Sequence, residues 1–272
     1  MSRLTFRNKQ SEICWQKLKR DSYNDEGVPP VPHLDVKKAE VRKVTRRMAE
    51  QIIFKYEWLG TMANTGHHYG IFFGDYCAGV CCVAIGGGGA NLNAHKEFCV
   101  ARDELAYLGR GACVHWAPKG TNSKLISWMC RLLGNDTKAK IIIAYSDTDA
   151  GEIGTVYQAC NWVCIGKGAS TRQWVAPNGR IYDQKLPYDL KRKRGATRAF
   201  WVKQLKSEGW KEQPSNPKHK YVYIIDKNDN QLVEKIELKR QPYPKRPKQA
   251  TSPVQGDSGG AAPTRTLQTI SR

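Results

Sequence analysis

Ala139-Lys140-Ile141-Ile142-Ile143-Ala144-Tyr145, with its exit Ser146-Asp147-Thr148-Asp149-Ala150-Gly151, is the stretch on which the fold turns. Three consecutive isoleucines leave no polar face, so the run predicts a strand covered on both sides, as in a parallel sheet. Upstream, a strand is expected from about Glu104 to Trp116. It leads through Pro118-Lys119-Gly120-Thr121-Asn122-Ser123 into a helix carrying Leu125, Ile126, Met129, Leu132 and Leu133, which Gly134-Asn135 is expected to close. Downstream, Gly154 to Asn161 predicts a short helix and Trp162 to Gly166 another strand. This β-α-β-α-β order implies an α/β sheet with a right-handed crossover.

Working outward, Val41, Val44, Met48, Ile52 and Ile53 recur at three- and four-residue steps, predicting an amphipathic helix from Asp35 to about Lys55 with Asp35 as N-cap. Tyr69–Phe73 and Cys77–Ile85 form two β runs joined by Gly74-Asp75-Tyr76, a hairpin-like connection. Gly86-Gly87-Gly88-Gly89 reads as a flexible loop. It lacks the Lys-Ser/Thr and the helix start of a phosphate cradle, which excludes a P-loop.

The division expected is an extended, Pro-rich lead-in over 1–34, a main domain over 35–170, a basic β/α annex over 171–239 packed on it, and a disordered basic tail over 240–272. Within the annex lie Lys191-Arg192-Lys193-Arg194, a helix near Ala199–Ser207, a strand over Lys220–Ile225, and a hairpin turn at Asp226–Asn230 leading into Leu232–Leu238.

Charge is the compositional outlier. The 272 residues carry 44 Lys+Arg against 25 Asp+Glu, a formal +19, and such self-repulsion points to a polyanionic partner, nucleic acid. No window approaches the roughly 18 apolar residues of a membrane span, and no apolar region follows the charged N-terminus as in a signal peptide. Most of the nine cysteines sit in apolar runs, where a reduced thiol packs as a small hydrophobe. The compartment implied is reducing and intracellular.

The run Gly154-Thr155-Val156-Tyr157-Gln158-Ala159-Cys160-Asn161-Trp162-Val163-Cys164-Ile165-Gly166 resembles the closing helix and strand of GNAT acyltransferases. Three ordered blocks together resemble the Mom family of phage DNA-modification proteins, a divergent GNAT branch. They are Tyr56-Glu57-Trp58-Leu59-Gly60-Thr61-Met62; Leu108-Gly109-Arg110-Gly111-Ala112-Cys113 with Asn122-Ser123-Lys124-Leu125-Ile126-Ser127; and Tyr145-Ser146-Asp147 through Gly154–Trp162. The resemblance implies a GNAT-like mixed β-sheet flanked by helices. It also implies an enzyme that transfers a carbamoyl- or acyl-type group to adenine N6 in phage DNA, protecting it from host restriction. An acetyl-CoA-like donor, with iron as a further cofactor, belongs to the same implication. Carried over, the Arg of the central strand is Arg110, the Ser at the helix start Ser123 and the Tyr of the closing helix Tyr157. The early aromatic block is Tyr56, Glu57 and Trp58. Where some relatives carry a His in that block this chain has Glu57, so no His-based metal site follows there.

The residues themselves suggest how such chemistry would run. A helix start presents unpaired N–H groups to a pyrophosphate, making Lys119, Gly120, Asn122 and Ser123 candidates for the donor, with Asn161 beside the closing strand. Adenine N6 is a poor nucleophile, and Asp147 and Asp149 lie where open α/β sheets place ligands. One of them, or Glu57, is expected to orient or deprotonate N6, with Arg110 stabilising negative charge and Tyr157 protonating the leaving thiolate. The adenine must be flipped out of double-stranded DNA. Trp58, Tyr69 and Trp116 are the candidate stacking platforms, and Lys191, Arg192, Lys193, Arg194 and Arg198 the backbone contacts. His67, His68 and Asp149 are candidate iron ligands by type, whereas the cysteine pairs lack zinc-site partners and read as core. Two alternatives stay open: an ordinary GNAT N-acetyltransferase acting on a protein or small-molecule amine, and a non-catalytic nucleic-acid-binding protein of the same fold.

Overall fold

The computed structural model describes residues 14–23, 28, 34–86 and 93–246. The Pro-rich stretch Pro29–Pro32, glycines 87–89 and the tail beyond residue 246 lie outside the described residues. In chain order the elements run α1 Trp15–Asp21, β1 Glu40–Lys43, α2 Arg46–Tyr56, β2 His67–Phe73, β3 Tyr76–Ile85, α3 Ala94–Phe98, β4 Leu105–Cys113, α4 Thr121–Asp136 and β5 Ile141–Ser146. They continue with α5 Thr155–Ala159, β6 Val163–Lys167, β7 Arg172–Val175, β8 Ile181–Asp183, α6 Leu186–Arg194, α7 Arg198–Ser207, β9 Lys211–Pro214, β10 His219–Ile224 and α8 Asn230–Glu237.

Seven strands form one mixed sheet in the order β1-β2-β3-β4-β5-β10-β6, and three form a small sheet, β8-β7-β9. β5 is an inner strand, next to the central β4, parallel to it and antiparallel to β10. Its isoleucines alternate between two cores, as a strand's two-residue period requires. Ile142 and Ala144 join the cluster that includes residues of α2 and α4, while Ile141 and Ile143 join the one that includes α3 and α8. The expected α/β class, a mixed sheet flanked by helices, is the architecture observed. Among the described residues no helix is long and apolar enough to cross a membrane.

Four local expectations are corrected. Asp35 caps a turn rather than a helix, its carboxylate accepting from Lys37 N at 2.8 Å. The periodic residues after it divide between β1 and α2, and Thr45 is the true N-cap, its hydroxyl accepting from Met48 N at 3.3 Å. Gly134 does not end α4 but lies inside it, where an added Cβ would stand 2.6 Å from Ile225 Cγ2. Its smallness serves packing against the chain after β10. Leu232 to Glu237 lies in the helix α8, with Leu238 as its C-cap, and is not a hairpin strand. Asp229 accepts from Leu232 N at 3.1 Å, and the four-residue step from Leu232 to Ile236 buries both.

The tail is docked at its start. Gln241 N donates to Cys164 O at 2.8 Å and Tyr243 hydroxyl to Trp162 O at 2.8 Å, covering the open edge of β6. The strand expected in the annex is β10, which sits between β5 and β6. The annex therefore supplies a strand to the main sheet, and residues 168–218 form an insertion between the sheet's last two strands in sequence.

Candidate active site

β4 and β5 pair only from Leu105 to Leu108 and Ile141 to Ala144. Beyond Leu108 the two strands part. The pairing of β4 with β3 slips at Gly109, between the pairs Val83–Leu108 and Cys82–Arg110, while Tyr145 and Ser146 continue with β10 alone. A bulge bends its strand, and glycine suits this one because a Cβ at 109 would lie 3.1 Å from both Ala63 and Thr65. The parting opens a pocket of about 110 Å³, well above the roughly 10–15 Å³ that holds one water. Its walls include Leu108, Gly109, Arg110 and Gly111 on one side, Tyr145, Asp147, Glu152, Tyr157 and Lys218 on the other, and Gln16, Glu57, Trp58 and Leu59 across the mouth.

Each charged group is fixed from its own element. Glu57 ends α2 and is 5% exposed. One carboxylate oxygen accepts from Gly60 N at 2.9 Å and the other lies 3.9 Å from Arg110 Nε. Burial pushes its carboxyl above the usual range, opposed by Arg110 and the backbone N–H groups of Gly60 and Leu59. The Arg110 guanidinium donates to Thr61 O at 2.8 Å and Gly109 O at 2.7 Å, which holds it across the mouth. Helix α1 secures the same corner. Gln16 donates to Tyr56 O at 2.8 Å and accepts from Trp58 N at 3.0 Å, and Lys19 donates to Glu57 O.

On the opposite wall, Asp147 is committed to structure. One oxygen accepts from Asp149 N at 3.0 Å and the other pairs with Lys218. Glu152 accepts from Asp147 N at 3.1 Å. Its carboxyl is pushed up to about 7, first by burial and then by the negative charges of Asp147 and Glu57, against the pull of the Asp147 N–H and Lys218. Tyr157 packs its ring 5.1 Å from Trp162 and 5.2 Å from Tyr221. Burial, then the Glu152 charge, raises its phenol far above the ordinary value, so it stays protonated. The site therefore sets a carboxyl that exchanges its proton near neutrality beside a hydroxyl that keeps its own.

Four expected residues, Glu57, Arg110, Asp147 and Tyr157, meet at this pocket, with Trp58 half-buried at its mouth. Others do not reach it. Tyr69 is 0% exposed and donates to Asp136 at 3.1 Å, so it is core and cannot stack on a base. Ser123 lies three residues past the helix N-cap Gly120, and its carbonyl accepts from Cys160 Sγ at 3.3 Å, away from the pocket wall. Asn161 adopts φ 58 in the turn before β6. Val163 pairs with Val222 and Val222 with Ile143, so Asn161 sits toward the other end of the sheet and is not among the residues lining the pocket.

The metal expectation is also corrected. His68 faces Thr65 Oγ1 at 3.2 Å on β2, while Asp149 accepts from Asn216 Nδ2 at 2.6 Å. Among the described residues no three His, Cys, Asp or Glu side chains converge as a metal would need. His67, His68 and Asp149 do not fit an iron. The donor candidates fit better. β4 and β5 are parallel, so α4 starts at the pocket's end of the sheet. Gly120 carries no side chain over the helix start, Lys119 is exposed, and Asn122 Oδ1 is buried without a hydrogen-bond partner.

Sequence reasoning missed Glu152, Lys218, Gln16 and Tyr145. Glu152 had a signal, an acid five residues past Asp147 in the same strand exit. Gln16 and Lys218 had none, because they arrive from α1 and from the far side of the insertion.

Sheet and pocket define the class: an α/β protein with a mixed sheet, its polar groups gathered where two inner strands part. The chain belongs to the Mom protein family, whose model matches residues 38–245. No curated protein matches its sequence. Among solved structures it is similar to a Bacillus subtilis acetyltransferase in complex with CoA, at 11% identity over 68% of this chain and 97% of that one, TM-score 0.37. It is also similar to FeeM, an N-acyl amino acid synthase from uncultured soil microbes, at 14% identity over 71% and 94%, TM-score 0.39. These overlaps are loose, and the family match carries the assignment.

Proposed function

We propose that the protein modifies adenine in DNA, transferring a carbamoyl- or acyl-type group from a coenzyme-A donor to N6 of a base flipped out of the duplex. The observation that carries this reading is membership of the Mom protein family, joined to a pocket in which a buried carboxyl, Glu152, lies with Tyr157 and Arg110. A thioester donor would supply an electrophilic carbonyl carbon and a thiolate leaving group. Lys119, Gly120 and Asn122 at the start of α4 would hold its phosphates.

This chain's own groups do the proton work. As N6 would form its bond to the acyl carbon and the C–S bond would break, the Glu152 carboxylate takes the N6 proton, and the Tyr157 hydroxyl, keeping its own proton, donates a hydrogen bond to the sulfur, which leaves as thiolate. Arg110, held by Thr61, offers a fixed positive charge to the developing oxyanion. Asp147, paired with Lys218, positions Glu152 through its backbone N–H. Trp58 at the mouth offers a face for the extruded purine.

The test is expression in a bacterial host followed by digestion of its DNA and mass spectrometry of the nucleosides. A new deoxyadenosine mass is expected with the native chain and its loss with Tyr157→Phe. Unaltered DNA from a folded chain that binds a CoA thioester would instead favour an acyltransferase with a protein or small-molecule substrate. Full modification by both Tyr157→Phe and Asp147→Asn would sink the residue assignments.

A further inference from the structure

The insertion between β6 and β10 carries a surface that the pocket chemistry does not use. α6 and α7 form a helical hairpin in which every residue from Lys191 to Phe200 is exposed. From Leu186 to Ser207 it has seven Lys and Arg against one Asp, so its natural partner is a polyanion. Two large rings nevertheless stand in water there, Tyr188 at 56% and Phe200 at 50% exposure.

Cations and rings are interleaved. Arg198 lies 5.0 Å over the Tyr188 ring, Arg194 lies 5.9 Å from the Trp201 ring, and Phe200 meets Trp201 edge-on at 5.3 Å. Trp201 Nε1 donates to Gly195 O at 2.8 Å, bracing the hairpin turn. An apolar protein partner would have to desolvate these charges. A nucleic acid answers both features, phosphates for the cations and flat base faces for the rings.

The location suits a task at the pocket. The insertion leaves the sheet after Lys167 and rejoins it at His219, residues paired with each other and, through His219, with Ser146. Its return leg is tied to the strand exit by Asn216 on Asp149 and Lys218 on Asp147.

We infer that Phe200 is a wedge: when the basic hairpin docks on duplex DNA, its ring enters the base stack and supports the gap left by the extruded base. This deepens the DNA reading above and rests on it. Apolar side chains that enter a base step unstack it and offset part of the cost of extrusion.

The experiment measures binding of the full chain, without donor, to a duplex containing 2-aminopurine, whose fluorescence rises on unstacking. Phe200→Ala is expected to abolish the rise and weaken binding about tenfold, the scale of one stacked base, while the slope of affinity against salt stays unchanged because no charge is lost. Phe200→Leu, still an apolar wedge, should keep the rise. A native-like fluorescence rise with folded Phe200→Ala overturns the wedge. So does a hairpin that binds phosphatidylglycerol vesicles and leaves the duplex stacked. The wedge and the adenine reading fail separately. Nucleoside mass spectrometry of the native chain decides the chemistry, and the 2-aminopurine signal decides the wedge.

Discussion

Glu152 sets the pH behaviour of the site. Its folded-state carboxyl titrates near 7, against an ordinary value of 4.5, because burial and the charges of Asp147 and Glu57 disfavour the anion. The folded state therefore holds a proton that the unfolded state has released between about pH 4.5 and 7, and over that window stability falls as pH rises. A general base needs the opposite form, so activity should climb through pH 7 while stability declines. Glu152→Gln can still accept the Asp147 N–H and never ionises. It should gain about 1–3 kcal/mol of stability at pH 8 relative to the native chain, little at pH 4, and lose DNA modification at every pH. Thermal melts at the two pH values, alongside nucleoside analysis, check this; an active variant with native-like melts at pH 8 would remove Glu152 from the mechanism. Of the residues at the pocket, the sequence made Glu57, Arg110, Asp147 and Tyr157 legible through their blocks. It also marked Asp149 as equal to Asp147, and the structure separates them: Asp147 lines the pocket and pairs with Lys218, while Asp149 is held by Asn216.

Elements were legible in proportion to how local their causes are. The run Ile141–Ile143 announces β5 by itself, because a strand without a polar face must be covered on both sides. α8 was misread because Leu232, Val233 and Ile236 satisfy a short strand nearly as well as a helix. The deciding contact is a single cap, Asp229 on Leu232 N. Least legible was the place of β10. Nothing in His219–Ile224 says that it will slot between β5 and β6, since strand order is set by which edges remain open after the rest has folded. That placement has a consequence for domain organisation. A chain cut after residue 170 lacks β10 and with it Tyr221 and Val222, both fully buried. It leaves the apolar β5 as a bare edge, an aggregation-prone arrangement. Such a fragment is expected to be insoluble or to show no protected amides in β5 by hydrogen exchange. Recovery of slowly exchanging Ile141–Ala144 amides in it would mean that the sheet closes without its inserted strand.

At the scale of the whole molecule, charge and topology act together. The formal +19 makes a polyanion the expected partner, and the fold concentrates part of that charge on α6 and α7, which are rooted at the pocket's end of the sheet. The final turn of α6 places Lys191, Arg192, Lys193 and Arg194 at a helix C-terminus, where the helix dipole favours cations. All four project into solvent, and of them Arg192 holds an acid, Asp189 at 3.1 Å. An exposed pair of that kind is weak, so it yields readily to phosphate. Each phosphate contact releases counterions, and the logarithm of affinity falls with the logarithm of salt by about 0.9 per contact. Replacing all four with Gln should therefore flatten that slope by as much as about 3–4 and weaken binding to every duplex sequence alike. Glu152→Gln, which alters the pocket, should leave the slope where it was. Titrations of both variants across salt concentrations separate docking from chemistry. A native slope in the fourfold Gln variant would move the docking surface to another face and leave the pocket's role to be judged by Glu152 alone.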